Sequence, residues 1–171
     1  MIEVYPTPQD HIYNSECECL LPWIGQKVLE VCSGGRSPVS GAIRVDIDPK
    51  AKPDLVGPAY PLPYNDGEFD SVVCMHGIEH LEDPHEAIRE WLRVINDRGS
   101  LCLVVPNKDL TEGNDPTHIN EWTYKEFIPF IKRIRGIKFR IVESGMTPTN
   151  WSFYVIIKKY IPKSKRRIGG E

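Results

Sequence analysis

The sequence lacks the features that mark membrane-spanning, secreted and disulfide-linked proteins. No apolar run approaches the roughly 20 residues needed to cross a bilayer, and the first residues contain neither a basic region nor the long apolar core of a signal peptide. The five cysteines are odd in number and none has Cys-x-x-Cys spacing. Because Cys74 and Cys102 lie within apolar runs, we expect both to be buried thiols. These absences favour a reducing, cytoplasmic setting without membrane contact.

The composition that remains is typical of one globular domain. The 171 residues are 40% hydrophobic and 26% charged, enough for one core and short for two. We expect a single domain over residues 1–160 and a basic, disordered tail over 161–171. Residues 1–124 carry 9 Lys/Arg and 21 Asp/Glu, whereas residues 125–171 carry 12 and 3. The basic C-terminal portion suits either a solvated surface or an anionic partner.

Strand-like and helix-like segments alternate, which favours a sheet with helices packed on it. The predicted strands are 27–31, 42–45, 53–56, 70–75, 100–105, 137–142 and 151–157. Arg98 and Gly99 predict a turn before the fifth strand. One helix is predicted from Pro84 to Val94, and a Thr123 capping box predicts another to about Ile134, kinked by a proline. The last two strands are close enough in sequence to pair antiparallel.

A pattern for a nucleoside-bearing ligand follows the first strand. Glu30 precedes Gly34 and Gly35, whose missing side chains let the backbone approach a ligand. Asp46 ends the next strand, where a carboxylate can accept hydrogen bonds from both ribose hydroxyls. By itself, a glycine pair after a strand is equally typical of an ordinary turn.

The downstream segments make the pattern specific. Residues 62–81 contain Leu-Pro-Tyr, Phe-Asp and Glu-His-Leu, and residues 89–106 contain Arg-Val, a glycine and Val-Val-Pro. This order resembles the class I S-adenosylmethionine-dependent methyltransferases, type 11 branch, short-loop subgroup. The resemblance is strong over residues 27–107 and weaker over 115–123.

The resemblance implies an α/β, Rossmann-like sheet that is mostly parallel with one antiparallel strand. Asp46 follows Gly34 by 12 positions, and Asp54 follows Asp46 by 8. A crossover between parallel strands ordinarily needs about a dozen residues or more. We therefore expect the first helices of the fold to be shortened or missing.

The resemblance also implies S-adenosylmethionine as cofactor, with S-adenosylhomocysteine as product. Glu30 would lie near the amino end of the methionine moiety, Asp46 would hold the ribose, Ala59 would line the adenine and Met75 would lie near the sulfonium. The full set of implied cofactor-binding residues is Glu30, Cys32, Gly34, Gly35, Asp46, Ile47, Ala59 and Met75.

Three positions depart from the family pattern. Cys32 and Arg36 stand where the family usually has glycine, and Pro58 stands where it often has an aspartate for the adenine amino group. These departures motivate an alternative, in which the chain keeps the fold as a non-catalytic binding protein.

Three residues are predicted to be catalytic. Methyl transfer to oxygen or nitrogen requires aligned reactants and a base that removes a proton from the nucleophile. His76 follows the fourth strand, beside the expected reaction centre, and His118 and Glu121 lie in the loop after the fifth strand. Each histidine is also compatible with a structural role. We expect Glu79 and His80 to anchor the loop that leads into the next helix.

A rival metal-binding motif overlaps this region. His76, Glu79 and His80 satisfy the His-x-x-Glu-His pattern of inverted zinc peptidases. That chemistry requires a continuous helix and a third ligand, whereas this pattern directly follows a strand and contains Gly77. We therefore predict no metal site.

The sequence thus predicts a methyltransferase that acts on oxygen or nitrogen of a small-molecule acceptor. A nucleic-acid methyltransferase that uses the basic C-terminal region is a further alternative. Because a shortened sheet leaves an edge exposed, the chain is expected to be a monomer or a homodimer.

Overall fold

A seven-stranded sheet organises the computed structural model, which describes residues 14–111 and 115–160. The strands are β1 (Val28–Val31), β2 (Ile43–Asp46), β3 (Leu55–Val56), β4 (Phe69–Met75), β5 (Ile95–Pro106), β6 (Phe139–Met146) and β7 (Ser152–Lys159). Their order is β3-β2-β1-β4-β5-β7-β6. Only β7 runs antiparallel to its neighbours, which confirms the predicted mostly parallel α/β sheet. The predicted tail at 161–171 lies outside the described residues.

Helix α1 (Pro84–Val94) covers one face of the sheet. It begins as predicted, because Asp83 accepts a hydrogen bond from the Glu86 amide at 2.9 Å and Pro84 occupies the first turn. Its buried side, which includes Ala87, Ile88, Trp91 and Leu92, packs into the main core with strands β4 and β5. The indole nitrogen of Trp91 donates to the Ala59 carbonyl at 2.9 Å.

Two further helices follow β5, the short α2 (Lys108–Thr111) and α3 (Tyr124–Lys132). The predicted capping box of α3 is present: the amide of Thr123 donates to the Glu126 carboxylate at 2.9 Å, and the Glu126 amide donates back to the Thr123 hydroxyl at 3.3 Å. Pro129 lies inside α3. Phe127 and Ile131 turn inward and join the main core.

The first connections of the sheet are as short as the spacing predicts. Residues 32–42 join β1 to β2 through turns without a helix, and residues 47–54 contain only the 3-10 helix Pro49–Ala51. With no helix above them, the carboxyl ends of β1 and β2 stay open to the surface.

Strand β5 differs from the prediction because it begins at Ile95, directly after α1, and not after a turn at Arg98–Gly99. An added Cβ on Gly99 would lie 2.4 Å from the Asp70 carbonyl oxygen, so the two backbones approach closely here. A register shift between Phe69 and Ser71 absorbs the extra residues. The predicted turn is therefore wrong, since the irregularity is taken up within the strand pair.

Both faces of the sheet are buried. Cys74 contributes to the core under α1 and α3, and Cys102 contributes to a second core on the opposite face with Cys17 and Leu20. Both predicted buried thiols are confirmed, with 0% of each residue exposed. Among the described residues, no helix is long and apolar enough to cross a membrane.

Candidate active site

The site lies where the strand order reverses. The chain passes from β1 to β2 on one side of the sheet and from β4 to β5 on the other, so the carboxyl ends of β1 and β4 frame a crevice. Cys32 follows β1, Asp46 ends β2 and His76 follows β4. Ligands of open parallel sheets bind at such a switch point.

Two adjoining cavities of about 640 and 420 Å³ open at this crevice and share Cys32, Gly34 and His76 in their walls. The larger is also lined by Asp46, Ile47 and Ala59, and the smaller by Gly35 and Met75. The structure thus gathers all the predicted cofactor-binding residues around these cavities except Glu30. Glu30 is 1% exposed and lines neither cavity. The volumes are those of ordinary small-ligand sites.

Asp46 ties the loop after β1 to the loop after β2. One carboxylate oxygen accepts from the Gly34 amide at 2.7 Å, and the other accepts from the Asp48 amide at 2.8 Å. Because each oxygen has two acceptor directions, each keeps one for a further donor. The geometry therefore suits a group with two adjacent hydroxyls, such as a ribose.

The wall beside Asp46 is apolar. Ile47 lines the larger cavity and is 76% exposed, although a large apolar side chain is usually buried. Pro58 and Ala59 line the same cavity, and the Trp91 indole fixes the Ala59 carbonyl from behind. A planar aromatic ligand would cover this surface.

The loops around the crevice have unusual backbone conformations. Cys32 and His76 both have φ of 53°, and Gly34 has φ of 56°. A Cβ added to Gly34 would meet nothing within 4 Å, so the approach to this loop is open. A Cβ added to Gly77 would lie 2.4 Å from the Cys32 Cβ, so the loop after β4 packs tightly on the loop after β1.

The three departures from the family pattern all lie in the cavity walls. Cys32 and Arg36 line the smaller cavity, and Pro58 lines the larger one. The cavities remain open with these side chains in place. The residues present therefore fit a nucleoside-bearing cofactor: a carboxylate for hydroxyls, an apolar slot for a base and an open glycine loop.

His76 forms an ion pair that the sequence analysis did not foresee. Its Nε2 lies 2.6 Å from a carboxylate oxygen of Glu16, in the helical residues 14–18. Burial would lower the pKa of His76, but the hydrogen bond and charge of Glu16, with the charge of Glu79, outweigh it and raise the pKa. Burial would raise the pKa of Glu16, and His76, Ser152 and Thr149 together lower it.

Glu16 also binds the turn between β6 and β7. Its carboxylate accepts from the Thr149 hydroxyl at 3.1 Å and from the Ser152 hydroxyl. Glu16 is 0% exposed and lies in the interior, whereas its partner His76 lines the larger cavity. No motif surrounds Glu16 in the sequence, and it precedes His76 by 60 positions. Only the folded chain brings the two together.

The other two predicted catalytic residues lie outside the two cavity walls. His118 packs edge-on against His80, with ring centroids 4.9 Å apart, and its Nδ1 lies 4.0 Å from a Glu121 oxygen. His80 itself lines the larger cavity. The catalytic roles of His76, His118 and Glu121 stay predictions.

Glu79 and His80 have the anchoring contacts expected of them, and these reach the loop after β5. The Glu79 carbonyl accepts from the amides of Ile119 and Asn120 at 3.1 and 3.0 Å. Burial raises the pKa of the Glu79 carboxyl, opposed by the charges of His76, His80 and His118. The peptidase arrangement does not form, since Ile78–His80 is a single 3-10 turn and His76 pairs with Glu16.

A larger depression of about 810 Å³ lies at the opposite edge of the sheet, lined in part by Asp70 and Arg98. Asp70 is already committed there, because it accepts from the amides of Gln26 and Lys27 and from the Asn96 side chain. Those bonds hold the amino ends of the strands, so this depression is structural.

Comparisons with known proteins find similarity to methyltransferases. A family model described as a methyltransferase domain matches residues 38–103. Ajmaline N-methyltransferase of Rauvolfia serpentina is 54% identical over 49 residues, which cover 29% of this chain and 17% of that protein. An uncharacterized methyltransferase of Bacillus subtilis is 30% identical over 82 residues, 42% of this chain and 32% of that protein. The matches thus span a third or less of these relatives.

Solved structures share the fold at low sequence identity. A putative methyltransferase from Haloferax volcanii, solved in complex with the Trm112 methyltransferase activator, has a TM-score of 0.72 and 14% identity, covering 88% of this chain and 91% of that one. A possible histamine N-methyltransferase from Thermotoga maritima has a TM-score of 0.65 and 16% identity, covering 86% and 88%.

Proposed function

The chain belongs to the class I S-adenosylmethionine-dependent methyltransferases of type 11, and we propose that it methylates an oxygen or nitrogen of a small-molecule acceptor. S-adenosylmethionine is its cofactor. The observation that carries the proposal is the grouping of Gly34, Asp46, Ile47, Ala59 and His76 around one crevice at the switch point of the sheet.

Each wall of the crevice has a proposed part in binding the cofactor. Asp46 accepts the ribose hydroxyls, Ile47 and Ala59 cover the adenine, and the open loop at Gly34 approaches the methionine portion. Met75, in the smaller cavity, lies at the sulfonium end. When bound, the cofactor supplies an electrophilic methyl group. Glu30, which lines neither cavity, would act only through the loop that follows it.

We assign the proton transfer to His76, which lines both cavities, rather than to His118 or Glu121, which line neither. Glu16 orients the imidazole and makes it a stronger base, as a carboxylate does for a histidine in other acid–base pairs. Because Glu16 raises the pKa of His76, a larger fraction of the ring carries a proton at a given pH, and activity should increase as the pH rises through that pKa.

Two observations support a small acceptor over a nucleic acid. The crevice is a pair of adjoining cavities of small-ligand size. Three described basic residues of the C-terminal portion, Arg140, Lys158 and Lys159, lie on β6 and β7, which form the other half of the sheet. The partial relatives whose names specify an acceptor atom are N-methyltransferases, so amines are the first acceptors to screen.

Calorimetric titration with S-adenosylmethionine and S-adenosylhomocysteine tests the cofactor site. We expect micromolar binding by the wild-type protein and loss of binding in Asp46→Ala. Asp48→Ala is the matched control, because Asp48 is two positions away and its side chain accepts a local hydrogen bond from the Lys50 amide. Equal affinity in wild type and Asp46→Ala would refute the ribose assignment. Absence of binding by the wild type would support the non-catalytic alternative.

A pH profile tests the base. His76→Gln should keep cofactor affinity while turnover on an accepted amine or hydroxyl compound falls about 100-fold or more. Glu16→Gln should shift the ascending, acidic-side limb of the wild-type profile to lower pH, since it removes the charge that raises the pKa of His76. A profile that Glu16→Gln leaves in place would exclude His76 as the base.

A further inference from the structure

Three side chains beside the larger cavity converge on one point. The Nε2 atom of His80 lies 3.8 Å from Oε1 of Glu79, and the Nε2 atom of His118 lies 3.9 Å from the same oxygen. One ligand atom from each residue lies within 4.8 Å of the other two. These separations are too long for hydrogen bonds. They leave space between the three atoms.

The Glu79 carboxylate is buried without a hydrogen bond to any described residue. Its side chain is 2% exposed, and neither oxygen has a hydrogen-bond partner among the residues that the structure describes. A buried carboxylate without a partner is costly, and native structures rarely keep one without a role. Its backbone carbonyl already anchors the loop after β5, so anchoring does not require the side chain.

His80 is oriented as a metal ligand is. Its Nδ1 lies 3.1 Å from both the carbonyl and the hydroxyl oxygen of Thr117, and that hydroxyl donates to Asp115. The proton of His80 therefore sits on Nδ1, which leaves the Nε2 lone pair directed at Glu79. Such orientation through the other ring nitrogen is the usual support of a metal-bound histidine. Nε2 of His118 faces the same Glu79 oxygen, and its Nδ1 lies 4.0 Å from Glu121, beyond hydrogen-bond distance.

We propose that Glu79, His80 and His118 bind one divalent transition-metal ion, and that Zn²⁺ fits these donors best. Two imidazoles and a carboxylate are a common Zn²⁺ ligand set. With bonds of about 2.0–2.2 Å, tetrahedral ligand atoms lie about 3.3–3.6 Å apart, so the two separations from Glu79, 3.8 and 3.9 Å, need to shrink by about 0.2–0.6 Å. The fourth position would be left for water.

The site goes beyond the proposed methyl transfer and does not depend on it. It joins the 3-10 turn Ile78–His80 to the loop at residues 115–121, two segments separated by more than 30 positions. Because the ion would bind only the folded arrangement, it would stabilise the protein. His80 also lines the larger cavity, so the ion would fix one wall of the cofactor crevice.

Titration of chelator-treated protein with Zn²⁺, in the presence of a colorimetric competitor, tests the proposal. We expect one ion per chain with submicromolar affinity. His118→Gln and His80→Gln should each weaken binding by at least about 100-fold, more than the roughly 10–100-fold typical for loss of a residue that only orients a ligand. The His80 side chain is 36% exposed, so its replacement is compatible with folding.

His85→Gln is the matched control. His85 stacks on Phe130 and contacts the Phe130 carbonyl, away from the cluster, and its loss should leave zinc affinity unchanged. At a free Zn²⁺ concentration 100-fold above Kd, the Tm of wild type and His85→Gln should rise by about 5–10 °C. The Tm of His80→Gln should rise by no more than about 1–2 °C at that concentration.

The five free cysteines are the competing ligands, and Co²⁺ substitution separates them. Binding by Glu79 and the two histidines gives visible cobalt bands without thiolate-to-metal charge-transfer absorption in the near ultraviolet. A thiolate band, unchanged affinity in both histidine variants, or no binding up to about 100 μM Zn²⁺ would each overturn the proposal.

Discussion

Replacement of Glu16 by glutamine isolates the ion pair that supports the candidate base. Glutamine keeps the volume and the acceptor oxygen but removes the charge. Glu16 is 0% exposed and contacts His76 at 2.6 Å, so its charge acts on the imidazole in a largely dry environment. A hydrogen bond to a charged group contributes about 1.5–3 kcal/mol, and a neutral one about 1 kcal/mol.

The stabilisation by this pair depends on pH. The pKa of His76 is raised on folding, so its contribution is complete below the pKa of the unfolded chain and is lost as the pH rises through the folded pKa. The pKa of Glu16 is lowered, so its contribution is lost only as the pH falls through that lowered pKa. The pair is therefore fully stabilising above the pKa of glutamate and below the pKa of histidine in the unfolded chain, about 4.3 and 6.5, a window that includes about pH 6.

We expect Glu16→Gln to lower the free energy of unfolding by about 0.5–2 kcal/mol near pH 6 and by less near pH 9, where a smaller fraction of the imidazole is charged. For a chain of this size each kcal/mol corresponds to a fall in Tm of about 2–4 °C. Urea denaturation at the two pH values measures the difference. A loss of equal size at both would refute the argument that charge, and not shape, makes the contact stabilising.

Glu143→Gln is the control for this experiment. Its carboxylate accepts from the Trp23 indole at 3.1 Å and from the Tyr154 hydroxyl at 2.9 Å. Burial, with Glu143, raises the pKa of Tyr154 to about 12, so neither partner is charged at pH 6 or 9. Glu143→Gln should lower the free energy of unfolding by about 1 kcal/mol or less, and by the same amount at both pH values.

Three more substitutions test how the fold supports the crevice. Trp91→Phe removes the 2.9 Å hydrogen bond to the Ala59 carbonyl, and urea denaturation should show a free energy of unfolding lower by about 1–3 kcal/mol. Calorimetry should show weaker binding of S-adenosylmethionine. An affinity equal to that of the wild type would show that Ala59 does not line the bound base. Gly77→Ala places a Cβ 2.4 Å from that of Cys32, so it should lower the free energy of unfolding by about 1–3 kcal/mol and weaken cofactor binding. An unchanged Tm would show that the loop after β4 can move away from the loop after β1. Thr123→Ala removes the α3 cap and should cost about 1 kcal/mol with cofactor affinity unchanged; a loss of affinity would mean that α3 contributes to the crevice.

The zinc proposal revises an expectation drawn from the local motif. The His-x-x-Glu-His pattern by itself has neither a continuous helix nor a third ligand. The structure uses Glu79 and His80 in a different set, in which His118 replaces His76. His76 instead faces Glu16. The two histidines of the motif thus belong to neighbouring sites, His76 to the ion pair with Glu16 and His80 to the proposed zinc site. Substitution of His80 or His118 should affect zinc binding, whereas substitution of His76 should affect the pH profile.

Local sequence determined most of the fold, because its signals act over a few residues. The alternation of apolar runs predicted all seven strands, and Asp83 and Pro84 predicted the start of α1. The short spacing from Gly34 to Asp46 predicted that the first helices are shortened or missing. The cofactor crevice was also predictable, since parallel strands bring their carboxyl ends to one edge. Cys32, Asp46 and His76 each follow or end such a strand.

Only the tertiary structure decided which polar groups meet across long stretches of chain. Glu16 reaches His76, and His118 reaches Glu79, through packing that no pattern within either segment specifies. The same reason explains the wrong turn at Arg98–Gly99, where the close approach of the Asp70 backbone is accommodated within β5. Hydrophobic periodicity determines which face of a segment is buried, whereas the pairing of buried charges depends on the final positions of all the segments around them.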